Sequence, residues 1–136
     1  MLARNPRDFS VESSDFGDGI YYSESFEIAR AYSGSGGVIT IYDWSSEHEP
    51  LTIKEIFEPE WRPLVKYHIA HIFPFKENLV PITFDEDFWR GSISVDHAPV
   101  KRCSDPIPSD AIQVVAKTQA AYDLMASRLI GVIFLI

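Results

Sequence analysis

The chain has 136 residues, 12 of them basic and 20 acidic, for a formal net charge of −8, with 46% apolar and 24% charged residues. These are the proportions of one globular domain with a single core. The acidity excludes a nucleic-acid backbone or an anionic membrane as the expected partner, and the single cysteine, Cys103, excludes an internal disulfide framework and a multi-cysteine zinc site.

A lone thiol points to a reducing, cytoplasmic setting. No signal peptide is visible. The longest apolar run, Gly131–Ile136, is far too short to span a bilayer. Residues 1–15 are polar and read as an extended arm, with Asn5-Pro6 as a turn and Asp8-Phe9-Ser10 as a short extended piece. Gly17 and Gly19 flank Asp18, a composition that permits positive φ or close backbone approach. Ile20-Tyr21-Tyr22 is β-prone and leaves that turn as a short strand. Ser23 or Ser25 can cap a helix over Phe26–Ser33, with Glu24 and Glu27 at its positive end and Ile28, Ala31 and Tyr32 on one apolar face.

Gly34-Ser35-Gly36-Gly37 breaks the chain. Val38–Tyr42 is β-branched and nearly all apolar, which predicts a central strand, and Leu51–Lys54 predicts a short one. Trp61, Leu64, Val65 and His68 have the spacing of a core-facing helix over Pro59–His68, with Glu58 and Glu60 as carboxylates at its N-terminus. His68 and His71 could share a helix face, but no third ligand stands at a suitable spacing, so no metal site is expected. Residues 72–88 read as a covering loop with a solvated acidic run, Asp85-Glu86-Asp87. Trp89–Val95 alternates as a strand, and residues 98–110 form a second loop around Cys103, a bystander thiol. Ala111–Ala116 is a strand. Thr118 caps a helix over Gln119–Leu129. Ile130–Ile136, wholly apolar, is expected inside a sheet.

The run Phe16–Tyr32, FGDGIYYSESFEIARAY, resembles the second signature motif of the ADP-ribosyltransferase superfamily, which in its poly-ADP-ribose polymerase branch reads approximately F-G-x-G-I-Y-F-A-D. Weaker parallels to a loosely defined group of bacterial and fungal domains of this kind extend over Val38–Tyr42, Trp61–Val65, Gly91–Asp96 and Gln113–Ala121. The resemblance implies an α+β fold, a single domain with a mostly antiparallel split β-sheet and a few short helices. It implies NAD as the bound substrate, with Tyr21 and Tyr32 enclosing the nicotinamide ring and Gly17 and Gly19 shaping the pocket wall. Ser23 would join the nucleotide contacts. An earlier strand in such transferases carries a His or Arg for the NAD ribose. No histidine precedes His48, so Arg4 or Arg7 would take that role.

At the start of the late strand the active enzymes have a glutamate that stabilises the positive charge developing as nicotinamide leaves. The corresponding residue is Gln113. Glutamine can bond a hydroxyl but supplies no negative charge. The implied function is therefore NAD binding and ADP-ribose transfer to a nucleophile, with catalysis weakened or lost. The alternative is a non-catalytic domain of the same fold that binds a protein partner through Trp44, Phe75 and Trp89.

Overall fold

A computed structural model describes residues 1–4, 15–33, 36–44, 50–70, 81–102 and 104–136, apart from the side chains of residues 32, 33, 70 and 101. In chain order the elements are β1 (Leu2–Arg4), β2 (Ile20–Ser23), α1 (Phe26–Ser33), β3 (Val38–Tyr42), β4 (Ile53–Glu55), α2 (Trp61–Ala70), β5 (Phe88–Ser94), α3 (Ala98–Lys101), β6 (Pro108–Ala116), α4 (Gln119–Ser127) and β7 (Leu129–Phe134). The seven strands run in the order β4-β5-β6-β2-β1-β3-β7. Every pairing is antiparallel except β4 with β5. The fold is α+β with a mostly antiparallel sheet, as the sequence predicts.

β1 and β2 meet at a central seam, where among the described residues the pair is Ala3 with Ser23. On one side lies the four-strand half β4-β5-β6-β2 and on the other the three-strand half β1-β3-β7. Each helix buries an apolar stripe against one face. Trp61, Leu64, Val65 and Ile69 of α2 pack with Phe16, Ile56, Trp89, Val100 and Val115. Ala29 of α1 packs with Ala3 and Ile39. Ala121 and Met125 of α4 pack from the opposite side on Tyr22, Phe88, Val114 and Ala116, together with Leu2 and Tyr42. Gln113–Ala116 of β6 is thus buried on both faces.

Local chemistry sets the boundaries. Pro63 is tolerated near the start of α2 because the first helical N–H groups need no partner within the helix. Thr118 is the N-cap of α4, its hydroxyl accepting from Ala121 N. The structure differs from the sequence reading in four places. Leu2–Arg4 is an interior strand rather than part of an arm. Residues 98–110 hold a short helix and the start of β6 rather than one loop. Trp89 is 3% exposed and belongs to the core. β7 lies at the sheet edge, with Phe134 74% exposed, rather than inside. Arg7, Asp8-Phe9-Ser10, His48, His71, Phe75 and Cys103 lie outside the described residues. No helix among the described residues is long and apolar enough to cross a membrane.

Candidate functional site

Register alone brings several of the sequence candidates together. Ser23 of β2 stands opposite Gln113 of β6, and Tyr21 opposite Val115. Residues opposite each other, and residues two apart on a strand, share a face. Tyr21, Ser23 and Gln113 therefore lie on one face of adjacent strands, the face that carries α2. A transverse row, Ala3–Ser23–Gln113–Gly91, crosses the seam and continues into β5. Gly91 makes room in that row for Phe16, since a Cβ there would stand 3.1 Å from the Phe16 ring.

The glycine turn ahead of β2 is tightly fixed. Gly17 has φ +77° and its missing Cβ would meet the His68 imidazole at 2.6 Å. Gly19 has φ +154° and its Cβ would meet Val115 Cγ1 at 2.6 Å. Only glycine fits either position. The Tyr21 hydroxyl accepts from Phe16 N (2.8 Å) and donates to Gly17 O (2.7 Å). The Lys117 ammonium donates to Phe16 O (2.8 Å) and Asp18 O (2.5 Å), and lies 4.0 Å above the Trp89 ring. Burial brings the Lys117 pKa down to about 8, against an opposing pull from Asp18. Both predicted glycines and Tyr21 thus build the turn itself, and Lys117, which carried no signal in the sequence, closes it.

Gln113 is 5% exposed and sits in a buried polar cluster. Its Nε2 donates to Asp15 Oδ2 (2.9 Å) and to Ser92 O (3.1 Å). Both partners only accept, so the amide orientation is fixed and Oε1 remains as its acceptor. Asp15, 3% exposed, also accepts from Ser94 N (2.8 Å) and Ser94 Oγ (2.7 Å). The His97 Nε2 lies 2.7 Å from Asp15 Oδ1. Facing a carboxylate, that nitrogen carries the hydrogen and donates. Four donors therefore satisfy one buried carboxylate, as its burial requires. No motif in the sequence singles out His97. Asp15 and His97 are 82 positions apart, and no periodicity links them.

The other candidates are placed elsewhere. Arg4 follows Ala3 and so faces away from the Gln113 row, towards Tyr22. Ser23 is buried and its Oγ accepts from Ser25 N (3.0 Å), while Ser25 Oγ accepts from Ile28 N (3.4 Å) at the start of α1. The Tyr32 side chain lies outside the described residues, although its backbone is in α1. Of the aromatics proposed for partner contact, Trp89 is core and Trp44 is half-buried, edge-on to Phe88 at 5.2 Å.

The opposite face of the sheet has an open cleft of about 490 Å³, lined by Met1, Glu24, Trp44, Ile53, Glu55 and Arg90. Arg90 bonds Glu24 through two nitrogens (2.6 and 2.9 Å) and Glu55 through a third (2.9 Å). Those bonds hold its pKa above the ordinary arginine value. This ion cluster ties the end of β2 to β4 and β5; Trp44, proposed for partner contact, lines the cleft, and none of the residues proposed for NAD does. Among the described residues no group of three or more His, Cys, Asp or Glu could hold a metal ion. No family model matches the chain, and neither a curated protein nor a solved structure gives a match.

Proposed function

We propose that the chain is an ADP-ribosyltransferase-like domain that recognises NAD, in a cytoplasmic setting, and has lost efficient transfer of ADP-ribose. The observation that carries this reading is the alignment of Tyr21, Ser23 and Gln113 on one face of β2 and β6, next to the fixed turn Phe16–Gly19. The family resemblance pairs those same positions around the nicotinamide riboside. A chance Gly-x-Gly-Ile-Tyr run would have no reason to bring its tyrosine beside the late-strand residue.

Loss of transfer follows from charge. Gln113 supplies no carboxylate, and the neighbouring Asp15 carboxylate is fully used by Ser94, His97 and Gln113. An electrostatic stabiliser missing from the transition state costs about 3 kcal/mol, roughly a hundredfold or more in rate. Proton NMR of NAD titrated with the full chain tests both halves of the reading. The expected result is broadening of the nicotinamide signals with no free nicotinamide over hours. Unchanged spectra at millimolar concentrations would remove NAD from the account. Released nicotinamide would show that Gln113 suffices for chemistry.

A further inference from the structure

We propose that β7 is a dimerisation strand, which pairs antiparallel with β7 of a second copy of this chain to extend the sheet across a two-fold axis. The two edges of this sheet are built differently. β4, at one end, has three residues, two of them charged, and its Lys54 and Glu55 are tied to Glu60 and Arg90. That is how natural edges are kept from pairing. β7, at the other end, has six residues, LIGVIF, with neither a charge nor a proline, and Leu135-Ile136 extends the apolar run. Among the described residues it pairs with β3 alone, from Val38↔Phe134 to Tyr42↔Leu129, with one irregularity near Ile130. Among the described residues no strand covers its outer side.

Both faces of β7 are also open. Leu129 is 47%, Ile130 60%, Val132 45% and Ile133 40% exposed. Val132 and Phe134 stand opposite Thr40 and Val38, so they form one apolar patch with the neighbouring strand. An uncovered apolar patch on a soluble chain marks an association surface.

A second copy fits this edge for three reasons. The exposed residues of β7 offer roughly 500–700 Å² per copy, of which edge pairing covers a part, the scale of a weak, reversible interface. Both β7 and β3 lack charge, so a chain of net charge −8 can meet itself here without opposing carboxylates at the contact. An anionic lipid surface would be repelled by that same net charge. Antiparallel pairing of one strand with itself is self-complementary and closes at two copies. It gives one continuous sheet, seven strands from each chain. The row around Gln113 belongs to the other half of the sheet and stays free, so the proposal stands independently of NAD binding.

Sedimentation velocity on the full chain at up to about 100 µM tests it, a range matched to micromolar pairing. The expected result is a species of twice the chain mass. Val132→Lys and, separately, Phe134→Lys should each weaken pairing about 100-fold by burying an unpaired charge at the edge. Both positions are exposed in the monomer, so far-UV circular dichroism should stay unchanged, and so should Tm compared at concentrations where the wild type is monomeric. Two variants keep the test decisive if one fails to fold. A monomer at every concentration overturns the proposal. So does a dimer indifferent to both lysines, and so does open-ended aggregation of the wild-type chain in place of a closed pair.

Discussion

At the residue scale, the Asp15–Gln113 contact explains why position 113 is glutamine. A glutamate there would set a second carboxylate about where Nε2 now lies, 2.9 Å from Asp15 Oδ2, and would lose the donor to Ser92 O. Two buried carboxylates in contact cannot both ionise. Gln113→Glu should therefore cost about 3 kcal/mol or more in urea unfolding at neutral pH. The loss should shrink at acid pH, where the new carboxyl takes up a proton and becomes a donor. Adding Asp15→Asn should recover part of it, and a wild-type midpoint for Gln113→Glu alone at neutral pH would contradict the argument. Lys117 gives a second prediction. Its folded pKa of about 8 lies below the unfolded lysine value. Between those two values the unfolded chain binds more protons, so this group makes stability rise with pH across that window. Loss of the charge also ends its attraction to the Trp89 ring. Tryptophan fluorescence should shift with a midpoint near pH 8, and Lys117→Met should abolish both the shift and that part of the slope.

At the element scale, turn and cap chemistry decide which substitutions matter. Gly17→Ala places a Cβ 2.6 Å from the His68 ring at a positive φ, and should cost about 2 kcal/mol or more by thermal unfolding. Thr118 does two tasks. Its hydroxyl caps α4 and donates to Asp87 Oδ1 (2.6 Å), while Thr52 also donates to Asp87. The Thr118 hydroxyl is the largest influence holding the Asp87 carboxyl below its usual pKa. A carboxylate with a lowered folded pKa adds stability above its unfolded value, which is lost as pH falls through the folded one. Thr118→Ala should cost about 1 kcal/mol at neutral pH and flatten that acid limb; an unchanged acid limb would place the pH dependence elsewhere. β2, α1 and α4 were legible in the sequence because glycine spacing, caps and helical periodicity are local signals. β1 was not, since three residues, Leu-Ala-Arg, carry no period. Hydrophobicity alone put β7 inside the sheet, because an apolar strand reads alike whether a neighbour covers it or not. The site was half legible. The motif named Tyr21 and Gln113, but the contacts that fix them, Asp15 with His97 and Lys117 with the turn, join residues about a hundred or fewer positions apart through packing rather than pattern.

At the scale of the whole molecule, the two halves of the sheet should differ in stability. β6 is sealed by α2 on one face and α4 on the other, and Val114, Val115 and Ala116 are fully buried. Their amides lie between β2 and β5, so they open only when both cores open. The other half has α1 on one face and an exposed apolar edge, and among the described residues it pairs with the first at Ala3↔Ser23. Native-state hydrogen exchange should find the slowest amides in β6 and markedly faster ones in β3 and β7, with exchange in β3–β7 uncoupled from denaturants that leave β6 protected. Self-pairing should then slow β7 amides as protein concentration rises, while β6 rates stay constant, because association adds a partner only to the edge. Equal protection across both halves would mean that the sheet opens as one unit and that the exposed edge at β7 carries no mechanical consequence.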